Sequence, residues 1–220
     1  INLFPKAKPW NIGGAIDSLI IHSSVNKESQ SFFENLLEHY LYNVNSPQYN
    51  ERYYSIVLEK FMHSLYIEND KKNKYSIIYK LINRNNVGDI ATDFTYYSKK
   101  ESSLHQLNAN YLILYFYAPD CSSCQQSFQT LKNNPNILAF INAKARTLAI
   151  YAEGNKQLWE GYAQNIPKEW INGVDLNQNI IKKGLYDLKA TPTLYLLDSN
   201  KRVLLKDVSL AELIAYLQRV

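Results

Sequence analysis

The chain is poor in cysteine, with two in 220 residues. That excludes a small domain stapled by several disulfides. Ligands for a structural zinc are also lacking. Such a site is four-coordinate, and the four histidines (His22, His39, His63 and His105) are scattered, with none in an H-x-x-x-H pair. No apolar run approaches the roughly 18–20 residues of a membrane-spanning helix; the longest, Tyr111 to Ala118, is strand-sized. No excess of one charge stands out. Lys+Arg number 24 against 20 Asp+Glu, and Lys71, Lys72 and Lys74 are balanced locally by Glu68 and Asp70. A solvated turn is expected there and no nucleic-acid partner. There is no signal peptide, no internal repeat and no low-complexity segment. The chain opens with Ile1 rather than Met. An export signal removed from it is the expectation, and its absence assigns no compartment.

Hydrophobic residues make up 46% of the chain, enough for a real core. They fall into two patterns. Over residues 1–84 the spacing is helical: Phe33, Leu36, Leu37, Tyr40 and Leu41; then Tyr54, Val57, Leu58, Phe61, Met62 and Leu65; then Tyr75, Ile78, Tyr79 and Ile82. Breaks fall at Asn45-Ser46-Pro47 and Glu68-Asn69-Asp70. A shorter helix is expected around Ala15 to Ile21, after Gly13-Gly14. This small all-α part carries no catalytic constellation.

From residue 85 to 220 the pattern changes to α/β with a mixed sheet. Asp93 to Tyr97 is a short strand candidate. Tyr111 to Tyr117 is continuously apolar, as in a central strand buried on both faces. Cys121 to Lys132 reads as a helix, Arg146 to Ala152 as a second buried strand, and Asn155 to Gln164 as a helix. Thr193 to Leu197 and Arg202 to Lys206 are strands joined by a turn at Asp198-Ser199-Asn200-Lys201. Leu210, Leu213, Ile214 and Leu217 mark a closing helix.

The two cysteines form one motif, Cys121-Ser122-Ser123-Cys124, at the junction of a strand and a helix. A helix N-terminus offers unpaired N–H groups and partial positive charge, which favour a thiolate. Cys121 is therefore expected to be the accessible nucleophile. Cys124 shares a stripe with Phe128 and Leu131 and is expected to face the core, where it would resolve the mixed disulfide formed at Cys121. An inert disulfide is the competing reading. So short a loop removes little unfolded-state entropy, which makes stabilisation a weak reason for it.

These residues resemble the thioredoxin superfamily, and within it the exported TlpA/ResA-type proteins. Gly88-Asp89-Ile90-Ala91-Thr92-Asp93-Phe94 is similar to the entry of such domains. Tyr111 to Cys124 is similar to their strand and active-site turn. Ala190-Thr191-Pro192-Thr193 is similar to the segment bearing the family's cis-proline, so the resemblance gives Thr191 and Pro192 a substrate-binding role. It implies a thioredoxin-like mixed sheet flanked by helices over 85–220, and a thiol–disulfide oxidoreductase without metal or cofactor. Protein or small-molecule disulfides would be its substrates, a membrane redox partner is compatible with it, and reduction is the favoured direction. Tyr40 to Pro47 and Pro167 to Gly173 resemble a subgroup of bacterial envelope proteins in which a helical domain of unknown role comes first. Export to the periplasm or cell envelope follows, a lipoprotein form included.

The sequence departs from this pattern at three places. Tyr115 and Ser127 stand where thioredoxins proper and ResA-type proteins carry their acids, and Asp120 replaces the usual Trp before the first cysteine. A carboxylate beside the thiol opposes its ionisation; Asp120 is expected to be solvated, and Glu153 is a further acid able to approach. Two other classes stay open. One is a binding or scaffold module with a redox-inert thioredoxin-like domain. The other is a copper-handling thiol protein, which would need a His ligand; His105 is the single histidine of the second part.

Overall fold

The protein's structure, a computed structural model, describes residues 9–220. Its contacts separate into two units, the first ending at Asn83 and the second running Arg84–Val220.

The first unit is helical, with α1 (Pro9–Ser23), α2 (Lys27–Leu41), α3 (Glu51–His63) and α4 (Asn69–Ile82). Asn26 and Asn50 cap α2 and α3, their side chains accepting from the N–H groups of Ser29 and Tyr53 at 2.8 and 3.0 Å. α1 does not wait for Gly13-Gly14 but runs through them. Pro9 suits a first helical position. Ile16 and Ile20 are buried in the unit's core with Leu41, Val57, Leu58 and Phe61, and this burial outweighs the poor helix propensity of two glycines. Leu65, expected on the stripe of α3, lies past its end and is 94% exposed, because the chain turns extended at Ser64. The buried Glu34 takes hydrogen bonds from Tyr75, Lys71 and Gln30 at 2.9, 2.6 and 3.0 Å, so its charge is compensated.

The second unit is a mixed sheet flanked by helices. Its elements are β1 (Thr95–Tyr97), β2 (Glu101–Ser103), β3 (Tyr111–Tyr117), α5 (Ser122–Asn133), α6 (Pro135–Lys144), β4 (Arg146–Tyr151), α7 (Lys156–Tyr162), β5 (Ile171–Val174), α8 (Asn179–Lys182), β6 (Thr193–Asp198), β7 (Val203–Lys206) and α9 (Leu210–Leu217). The sheet order is β2-β1-β5-β4-β3-β6-β7. β4 lies parallel to β3 and to β5, while β6 runs antiparallel to β3. β3 is therefore an interior strand paired on both edges, which explains its unbroken apolar sequence. Ile113, Tyr115 and Tyr117 face one core with Cys124, Phe128, Leu213 and Leu217. Leu112, Leu114 and Phe116 face the other with Phe94, Ile180 and Tyr186.

Candidate functional site

The site is assembled where β3 ends and β6 begins. Antiparallel pairing sets Phe116 opposite Thr193. The turn after β3, which carries Cys121, is thereby brought beside the Thr191-Pro192 segment that leads into β6. The Cys121 Sγ lies 3.1 Å from the Thr191 carbonyl oxygen, to which the thiol donates. Thr191 and Pro192 are half-buried, and the peptide bond between them is cis. The structure thus gathers Cys121, Cys124, Thr191 and Pro192 at one place.

The two thiols are unequal. Cys121 is the cap of α5, and its sulfur accepts the Cys124 N–H at 3.1 Å. Gln125 fastens this turn by donating to the Pro119 carbonyl at 3.0 Å. Partial burial alone would raise the Cys121 pKa. Hydrogen bonding by the side chains of Cys124 and Thr191 and by the N–H groups of Cys124 and Ser123 outweighs it, so the net pKa lies below that of an ordinary thiol. Cys124 is fully buried. Burial first, and Cys121 beside it second, push its pKa up to about 12. Both cysteines are free thiols here.

An aromatic wall backs the pair. The Tyr115 ring centroid is 5.0 Å from that of Phe128 and 5.5 Å from that of Trp170. Tyr117 packs on Phe128 and Tyr162, and its hydroxyl donates to Asn172 at 2.7 Å. Nothing in the motif spacing pointed to Tyr162, which lies close enough to both thiols for their charges to raise its pKa further after burial has done so.

The remaining candidates lie around this centre or away from it. Asp120 is exposed, as expected of a solvated acid. Glu153 accepts from the Tyr151 hydroxyl at 3.4 Å. His105 bonds through Nε2 to the Ala91 carbonyl at 2.8 Å. Among the described residues no group of three His, Cys, Asp or Glu is placed to hold a metal ion, and no helix is long and apolar enough to cross a membrane.

A family model described as a thioredoxin-like domain matches residues 97–220. A second, described as a domain of unknown function (DUF5106), matches residues 1–85. The chain is similar to a solved thioredoxin-like protein from Bacteroides caccae, with 37% identity and a TM-score of 0.85, covering 96% of this chain and 77% of that one. It is also similar to the C-terminal domain of an uncharacterised protein from Bacteroides fragilis, with 40% identity and a TM-score of 0.58 over 61% of this chain and 98% of the other. The thioredoxin domain of a thiol-disulfide oxidoreductase from Bacteroides vulgatus shares the fold at 18% identity and a TM-score of 0.51, over 61% and 96% of the two chains. No curated protein matches the chain.

Proposed function

Because the chain belongs to the thioredoxin-like family, we propose that it is a thiol–disulfide oxidoreductase working through Cys121 and Cys124. The observation that carries this reading is the asymmetry of the pair. One sulfur caps a helix and accepts an N–H at 3.1 Å, while the other is fully buried and held protonated. Such a pair can divide the reaction. The Cys121 thiolate attacks a sulfur of the substrate disulfide, forms a mixed disulfide and expels the first substrate thiolate. Cys124 then attacks Cys121, and the second substrate sulfur leaves as a thiol. The substrate is reduced by two electrons and the cysteine pair is oxidised to a disulfide.

Thr191 and Pro192 form the opposite side of the substrate cleft in this reading, since they border the Cys121 sulfur. The substrates are protein disulfides, and reduction is the direction we favour. Resemblance to TlpA/ResA-type proteins supports that direction, a place in the bacterial envelope, and a membrane partner that restores the dithiol. The helical region 1–84 precedes the redox domain as a separate domain.

Trapping tests the proposal. Cys124→Ser, immobilised and exposed to envelope extract, is expected to hold partners that a reductant releases. Cys121→Ser/Cys124→Ser together is expected to hold none of them. Capture that survives the double substitution and ignores reductant would instead favour a scaffold with inert cysteines.

A further inference from the structure

A resolving thiol must become a thiolate to attack, and Cys124 is poorly placed to do so: it is fully buried, and its pKa is pushed up to about 12. The titratable groups that face it are Cys121 across the first turn of α5, Tyr115 and Tyr117 of β3, and Tyr162 at the end of α7. Their engagements differ. The Tyr117 hydroxyl is committed to Asn172. Tyr162 is half-buried and partly open to water. The Tyr115 hydroxyl is buried in a residue 1% exposed and makes no hydrogen bond of ordinary geometry among the described residues, the Ser127 hydroxyl being close enough to act on it.

Packing accounts for the Tyr115 ring, which fills the space against Phe128 and Trp170. A phenylalanine would make the same contacts without desolvating a hydroxyl, so packing does not account for the oxygen. The ring shares one buried core with Cys124 and packs on Phe128, one turn further along α5, and the charges of Cys124 and Cys121 bear on the hydroxyl, as does the Ser127 hydroxyl. Burial raises its own pKa well above the ordinary phenol value, so it keeps its proton and acts as a donor, not a base.

Resting on the oxidoreductase reading above, we infer that the Tyr115 hydroxyl is a positioning donor for Cys124, giving its hydrogen bond to the sulfur as that sulfur ionises in the resolving step. In that step the Cys124 S–H bond breaks and the Cys121–Cys124 bond forms. The bond from Cys121 to the partner's sulfur breaks, and the partner's sulfur leaves with the electron pair and takes up the proton. A hydrogen bond made to the thiolate but not to the thiol lowers the barrier selectively.

The reduced full-length chain mixed with one equivalent of a chromogenic aromatic disulfide gives the test. Two phases of thiolate release are expected, the first from attack by Cys121 and the second from resolution by Cys124. In Tyr115→Phe the first phase should stay near its original rate, while the second slows by about ten- to a hundred-fold and its pH midpoint moves up. The melting temperature should hold or rise, since a buried unpaired hydroxyl is removed. A second phase with unchanged rate and pH midpoint in a folded Tyr115→Phe protein would overturn the inference. Absence of the first phase in the unsubstituted chain would instead overturn the oxidoreductase reading.

Discussion

At the scale of the residue, two thiols three positions apart live in different electrostatic surroundings. The Cys121 pKa is depressed, so its thiolate survives to lower pH than an ordinary thiol's and is lost only as pH falls through that lowered value. Alkylation of the native reduced chain should therefore titrate below the ordinary midpoint of about 8.5, with one adduct per chain, on Cys121. Cys124, pushed up to about 12, should stay unlabelled throughout that range. Peptide mapping of chains alkylated at a series of pH values checks both halves of this expectation. The unequal surroundings of the two sulfurs were readable in the sequence, because helix position and the Phe128-Leu131 stripe orient each of them. The 3.1 Å approach of the Thr191 carbonyl was not, since it joins segments 70 positions apart that only the β3–β6 pairing brings together. Tyr115 was readable as a departure but not as an orphaned hydroxyl, a matter of partners rather than of residue type.

At the scale of the element, the placement of Cys124 depends on how α5 is pressed to the sheet. Phe128 is 1% exposed, one turn beyond Cys124, against Tyr115, Tyr117, Tyr162 and Trp170. Phe128→Ala should cost about 3–5 kcal/mol in urea unfolding, where an exposed substitution such as Gln129→Ala should change little. Gly173 marks a second tight place. A Cβ there would come within 2.7 Å of the Tyr96 Cδ2 and 2.8 Å of the Ile150 Cδ1, so Gly173→Ala should destabilise by about 1–3 kcal/mol by the same measurement. β3 shows its bounds in sequence because both faces are buried and every position is apolar. β5 does not: Ile171-Asn172-Gly173-Val174 is short and half polar, and it becomes a strand because β4 and β1 flank it. β2, Glu101-Ser102-Ser103, is a polar edge held by pairing with β1. None of the sequence patterns above marks α6, which opens on Pro135, a residue suited to the first turn of a helix.

At the scale of the whole molecule, the helical cluster around Leu58 and the two cores on either side of β3 are built from different stretches of chain. Residues 84–220 are accordingly expected to fold alone, with a cooperative thermal transition by circular dichroism and the same selective alkylation of Cys121. The change from helical to strand periodicity made the two-part organisation visible in the sequence; the purpose of the first part was not visible, because its buried polar groups, such as Glu34, are satisfied internally. The central claim is that Cys121 and Cys124 cycle between dithiol and disulfide under conditions a cell can reach. Equilibrating the full chain across glutathione redox buffers and counting its free thiols by mass tests this most directly. We predict a single two-electron transition from two thiols to none, with a potential nearer to about −270 mV than to about −120 mV. Cysteines that stay reduced across the series, or a disulfide that glutathione cannot open, would contradict it.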